Sequence, residues 1–234
     1  MKQMSRILVL DGSAAGDAAF GLAACVQQTD GGDFQPISCQ QAPGKQAAEG
    51  IGLLAAQALK DAGWQAGSPF QPELVAVVVG PGSFTGLRAS CATAAGYALG
   101  LDVPVVGVTR GEALCPVLDA ECTQQENEAL QGWMVVTAAR RGRVFVETKA
   151  GTQAVALDAW QFPAGRWLVA GDAANVVASP DCVLSSTNIP DPAQIAAAAC
   201  ARLRGELPPR DALPLYVDPP EAKLPAAGLR SAPV

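Results

Sequence analysis

The chain contains no histidine. That absence removes histidine general acid–base catalysis, any Ser-His-Asp triad and every histidine-ligated metal site. Charge is also sparse: Asp, Glu, Lys and Arg make up 16% of the residues, and the net charge is −6. A surface of that sign repels phosphate backbones, so strong unaided binding to nucleic acid is not expected, although net charge says nothing of a local basic patch. No apolar run reaches the roughly 18 residues that a membrane span needs. Residues 1–6 lack the apolar core of a secretory signal, which makes a cytoplasmic protein the expectation. None of the seven cysteines forms a Cys-x-x-Cys pair. Their odd number predicts reduced thiols, several buried as small apolar residues. Internal repeats and long low-complexity tracts are absent.

What is present is a core-forming chain of 234 residues, half of them apolar. That is enough for one or two domains. Its most organised stretch is 74–88. Residues 74–79 are a β-branched apolar run, the pattern of a strand buried on both faces. Gly80, Pro81, Gly82 and Gly86 then break the run, and small apolar residues at helical spacing follow. Strand, glycine-rich turn and helix in this order can aim free N–H groups at a phosphate or carboxylate. Alternatively, Ser83 or Thr85 caps the helix itself.

In chain order, 6–10 is a first strand ending at Asp11-Gly12-Ser13, with a turn at 14–17. Residues 18–27 and 34–39 complete a meander. The helix at 46–62 places Ile51, Leu54, Ala55, Ala58 and Leu59 on one face. Gly50 and Gly52 inside it each cost roughly 1 kcal/mol against Ala, which suggests close approach of another helix. The helix at 85–100 is almost free of bulk, and a strand at 103–108 completes a parallel crossover. Thr109 and Glu112 form a capping box for a short helix over 109–118, which Pro116 should bend or end. Residues 119–132 read as a mobile connection. A hairpin over 133–149 turns at the basic Arg140-Arg141-Gly142. A strand at 166–170 stops at Gly171-Asp172. A helix over 191–204 has Asp191 as N-cap and Pro192 in its first turn. An ordered extended segment near Tyr216 is expected before a frayed tail.

The wording of the glycine-rich turn carries more than its spacing. Gly80-Pro81-Gly82-Ser83-Phe84-Thr85-Gly86-Leu87-Arg88 resembles the signature of the bacterial TsaB (YeaZ) family, relatives of TsaD/Kae1. Ile7-Leu8-Val9-Leu10-Asp11, Pro104-Val105-Val106-Gly107-Val108-Thr109 and Ala139-Arg140-Arg141-Gly142-Arg143-Val144-Phe145 are similar to further segments of that family. So are Pro214-Leu215-Tyr216-Val217 and Pro220-Glu221-Ala222-Lys223-Leu224. The resemblance implies an α/β, two-lobed actin-like ATPase or ribonuclease-H-like (ASKHA) fold, each lobe a mixed sheet with helices. The expected division is 1–110 and 111–234, with helix 191–204 packing back on the first lobe. The family usually carries a histidine where Ala47 stands and an aspartate where Ala138 stands. Roles that rest on those residues are in doubt here, and the inherited label "glycoprotease" finds no support.

By this resemblance the protein is a non-catalytic partner of TsaD in forming N6-threonylcarbamoyladenosine at position 37 of tRNAs that read ANN codons. It would work with TsaE and with the product of TsaC, and would meet tRNA through the complex. The pairing surface implied comprises Ile51, Leu54, Ala55, Ala58, Arg88, Cys91 and Ala95, and a homodimer in isolation is compatible with it. No catalytic or metal-ligating residue and no cofactor of its own are expected; ATP or ADP in the complex is compatible. The alternative is an independent kinase-like ATPase. Its nucleotide and Mg²⁺ would lie among Asp11, Gly12, Ser13, Gly80, Gly82, Ser83, Thr85, Gly86 and Asp172.

Overall fold

The computed structural model describes residues 5–14, 20–65, 67–124, 130–140 and 142–217. The turn at 15–17, Arg141 and the segment 220–224 lie outside the described residues.

The first lobe is a five-stranded sheet of order β3-β2-β1-β4-β5. Its strands β1 (Arg6–Asp11), β2 (Phe20–Gln28) and β3 (Phe34–Pro43) form an antiparallel meander. After α1 (Gly44–Asp61), β4 (Leu74–Gly80) runs parallel to β1; after α2 (Phe84–Leu101), β5 (Val105–Thr109) runs parallel to β4. All seven residues of β4 are buried, as expected for the central strand of a covered parallel arrangement. Alternation sends Val75, Val77 and Val79 to one face, where α1 and α2 cover them. Leu74, Ala76 and Val78 go to the other.

The second lobe follows α3 (Arg110–Gln124). Strands β6 (Leu130–Ala138), β7 (Arg143–Thr148) and β8 (Gly151–Ala156) form another antiparallel meander. Strand β9 (Arg166–Ala170) lies parallel to β6, and β10 (Cys182–Leu184), after the short α4 (Ala174–Val177), lies parallel to β9. Read from β8 to β10, this sheet repeats the first in strand order and direction. Two lobes built on one topology, each a mixed sheet with helices, are the expected actin-like architecture.

Helix α5 (Pro192–Leu203) leaves the second lobe and covers the open face of the first sheet, packing Ile195, Ala196, Ala199 and Cys200 against Ile7, Val9 and Ala76. Asp191 and Gln194 close its capping box. Three details differ from the sequence reading. Pro116 does not end α3, which runs on to Gln124, because Leu114 and Leu118 anchor both sides of the proline on Trp133, Val135 and Leu168. Residues 119–124 are therefore helix and not a mobile connection, with the Asp119 carboxylate held by Trp133 Nε1 at 2.8 Å and Lys149 Nζ at 2.7 Å. Strands β8 and β10 and helix α4 carry too little hydrophobic periodicity to be read in advance. All seven cysteines are free. Burial pushes the Cys25, Cys91 and Cys200 thiols up to about 11. Among the described residues no helix is long and apolar enough to cross a membrane.

Candidate functional site

Three places answer to the residues singled out in the sequence: the glycine-rich turn, the junction between lobes, and the outer face of α1 and α2.

At the turn, two loops interlock backbone to backbone. Asp11 is buried at the end of β1 and its Oδ1 accepts the Ser13 N–H at 2.7 Å. That fold of the chain lays Gly12-Ser13 on the start of α2, where the Ser83 N–H donates to the Ser13 carbonyl at 2.9 Å. A Cβ on Gly82 would sit 2.1 Å from the Ser13 oxygen, and one on Gly86 2.0 Å from the Gly12 oxygen. These glycines are therefore required by the neighbouring chain. At the helix start, Ser83 Oγ accepts the Gly86 N–H at 3.3 Å and the Ser83 carbonyl accepts the Leu87 N–H at 2.8 Å. Of the two capping candidates it is Ser83, not the exposed Thr85, that caps the helix. The Gly80–Pro81 peptide is cis. Beyond it the C-terminal segment crosses the top of the sheet, the Leu215 N–H donating to the Val79 carbonyl at 2.8 Å. Tyr216 meets Phe84 in a tilted ring contact at 5.5 Å between centroids, and Arg88 lies over the same Phe84 ring, 5.2 Å from its centroid.

The junction is held by charge. Arg110, 1% exposed, donates to Thr137 Oγ1 at 3.1 Å and to Asp172 Oδ2 at 2.8 Å. The other Asp172 oxygen accepts the Ala138 N–H at 2.9 Å. Both oxygens of Asp172 thus have structural partners, Arg110 at the start of α3 and the Ala138 backbone of β6. The capping box at α3 is present: Thr109 N–H donates to Glu112 Oε2 at 2.7 Å, and Glu112 N–H to Thr109 Oγ1 at 3.1 Å. Glu112 also meets Arg202 of α5 at 2.5 Å and Arg210 of the C-terminal segment at 3.0 Å. Burial pushes the Glu112 carboxyl up, but the Thr109 N–H and the two guanidiniums outweigh it and hold the group below the usual value. Glu147 of β7 accepts the Thr109 hydroxyl and, at 2.8 Å, the Gly111 N–H. Burial raises this carboxyl to about 7, against the two hydrogen bonds. The sequence reading missed Glu147, Arg110 and Arg202. Arg202 stands at the end of an otherwise uncharged helix, the one local signal for it; Glu147 and Arg110 lie on elements that carry other charges.

On the third surface the structure divides the expected pairing residues. Ile51, Ala55, Ala58 and Cys91 point inward, 0–4% exposed, and belong to the core of their own lobe. They cannot line a free surface, because the helical face with the greatest apolar periodicity is the one the sheet buries. Leu54 is half-buried against the same core, whereas Arg88 and Ala95 are exposed. The outward face instead carries Leu53 and Leu99, 78% and 85% exposed. A Cβ on Gly50, Gly52, Gly96 or Gly100 would meet nothing within 4 Å. Among the described residues, close approach of another helix is thus not the reason for Gly50 and Gly52. A groove of about 420 Å³ runs along α2, lined by Thr93, Gly96, Tyr97, Gly100 and Leu101.

Ala47, at the histidine position of the resemblance, is buried, and a Cβ on Gly21 would come within 2.6 Å of its own. Ala138 is bound through its backbone to Asp172. Among the described residues no group of three His, Cys, Asp or Glu is placed to hold a metal ion.

Residues 41–157 match the sequence profile of the family described as TsaD, tRNA N6-adenosine threonylcarbamoyltransferase. An uncharacterised protein of Mycobacterium tuberculosis is 34% identical over 160 residues, spanning 64% of this chain and 67% of its own. An uncharacterised Mycobacterium bovis protein matches to the same extent. In fold the chain is similar to YeaZ from Pseudomonas aeruginosa, with a TM-score of 0.61 at 20% identity, covering 91% of this chain and 100% of that one. A second Pseudomonas aeruginosa structure, an uncharacterised protein with similarity to peptidase YeaZ, aligns over 92% of this chain at the same score and identity. With half of its 234 residues inside the family profile and the signature turn in its expected place, the chain belongs to the TsaD threonylcarbamoyltransferase family and has a YeaZ-like fold.

Proposed function

We propose that this protein is the non-catalytic partner of a TsaD-type subunit in forming threonylcarbamoyladenosine at position 37 of tRNAs that read ANN codons. In this reading it acts together with TsaE and with the intermediate supplied by TsaC, in the cytoplasm, and meets tRNA through the complex. The observation that carries the reading is the outer face of α1 and α2. Leu53, Ala95 and Leu99 lie open beside four glycines that no other part of the described chain requires. Glycine inside an exposed helix costs about 1 kcal/mol against alanine, and a partner helix seated close to the backbone offsets that cost. A chain with no histidine is suited to supporting a catalytic subunit rather than supplying metal and base itself. Nucleotide, if the complex holds one, is then a property of the assembly.

The test is threonylcarbamoyladenosine formation on tRNA with the cognate TsaC, TsaD and TsaE, with and without this protein. Product should depend on it. Equal product in its absence refutes the partner role. A second arm uses Leu99→Arg, which should weaken pairing with TsaD by at least about 100-fold, since a buried unpaired charge costs several kcal/mol. A folded variant that pairs normally puts the interface elsewhere.

A further inference from the structure

Helix α2 carries one charged residue, Arg88, in an otherwise uncharged sequence. Arg88 is exposed and lies in the second turn, toward the positive pole of the helix dipole. Cations are favoured near the opposite end. Among the described residues no carboxylate pairs with it, and its contact is the Phe84 ring. The helix itself therefore gives no electrostatic reason for a cation at this position.

The surroundings hold the guanidinium and leave its donors open. Phe84, one turn earlier, takes it over one ring face. A guanidinium stacked on a ring keeps its edge N–H groups for a planar acceptor, and a carboxylate matches that fork. Tyr216 reaches the same ring from the far end of the chain, on a segment that the Leu215 N–H ties to Val79 of β4. Phe84 and Tyr216 are 53% and 57% exposed. Exposed aromatic rings beside an arginine have the composition of an interface anchor. The two rings touch at an inclination of 39°, so there is no slot between them for a flat nucleobase. Residues 84, 88, 95 and 99 fall on one face of α2. The cluster is thus the N-terminal end of the face on which Ala95 and Leu99 lie open.

We propose that Phe84, Arg88 and Tyr216 form an anchor for a carboxylate of the partner subunit. The partner's Asp or Glu pairs with the Arg88 guanidinium, and apolar side chains around it cover the two rings. The anchor rests on the outer face of α1 and α2 being the pairing surface, and it adds the chemistry that surface selects: an acidic group at the Arg88 end and small or apolar contacts along the glycines. An acceptor on the partner also accounts for a lone cation on the surface of a chain whose net charge is −6.

The experiment is titration calorimetry of the full chain against the cognate TsaD-type subunit. Arg88→Met should weaken pairing by about 30-fold or more, the loss expected when one member of a desolvated charge pair is removed. Arg88→Glu should weaken it at least about tenfold further, because like charges then meet. Arg88→Lys should recover part of the loss. The side chain is exposed, so all three variants should unfold within about 2 °C of the wild type. If Arg88→Glu pairs as tightly as Arg88→Met, no carboxylate faces position 88 and the proposal is overturned. Normal pairing by Arg88→Met with weak pairing by Leu99→Arg keeps the face and overturns the anchor. Normal pairing by Leu99→Arg overturns the face, and the anchor with it. Loss of tRNA binding by the complex while pairing stays intact would place a phosphate on Arg88 instead, and also overturns the proposal.

Discussion

Gly86→Ala and Gly96→Ala make the same chemical change in the same helix and should move stability in opposite directions. On helix propensity alone each replacement gains about 1 kcal/mol. At Gly96 nothing lies within 4 Å of the added methyl, so the gain is realised. With 2–4 °C per kcal/mol in a domain of this size, Tm should rise by roughly 2–4 °C. At Gly86 the methyl would stand 2.0 Å from the Gly12 carbonyl oxygen, an ångström inside the 3.0 Å that real Cβ atoms keep. The obstacle is backbone, and the Gly12-Ser13 loop is tied to Asp11 and Ser83, so it cannot swing aside as a side chain would. Overpacking of this kind costs about 1–3 kcal/mol; at the upper end, less the propensity gain, the net loss is about 2 kcal/mol, or roughly 4–8 °C in Tm. Thermal and urea unfolding of the isolated chain, at concentrations where it is monomeric, read both effects. A shift of the same sign for the two variants would refute the claim that the signature glycines exist to interlock two turns.

Removing the carboxylate in Asp172→Ala should cost about 3 kcal/mol in urea unfolding, because Arg110 is left charged and buried without its partner; an effect below about 1 kcal/mol would show that solvent already serves this arginine. Thr109→Val removes the hydroxyl that caps α3 and contacts Glu147, and a loss of about 1–2 kcal/mol is expected. Acid should act through Glu112: its carboxyl is held below the ordinary value, so its contribution is present above the unfolded value and disappears as pH falls from about 4.5. Glu112→Gln should flatten that part of the wild-type pH–stability curve, and an unchanged curve would remove Glu112 from the account.

Much of the architecture was legible because local chemistry and the final fold agree. The run at 74–79, the Thr109/Glu112 capping box, the Asp191 cap and the hairpin about 140–142 each depend on residues close in sequence, and the structure places each where its pattern indicates. The signature turn was located correctly, but two explanations were open for it. A glycine permits an approach without saying what approaches, and here the neighbour, Gly12-Ser13, is some 70 residues away in the chain.

The same limit explains the pairing surface. Helical periodicity identifies the apolar stripe of α1, and that stripe is the one its own sheet buries; the exposed Leu53 and Leu99 look like exceptions until the opposite face is occupied. The sequence alone determined the family, the order of strands and helices apart from β8, α4 and β10, and the exclusion of histidine chemistry. The interlocked turns, the pairing of Arg110 with Asp172 and the seat of Glu147 on α3 were decided by tertiary structure. They join residues 36 to 74 positions apart in sequence, and a buried charge takes its partner from whatever the folded chain brings within reach.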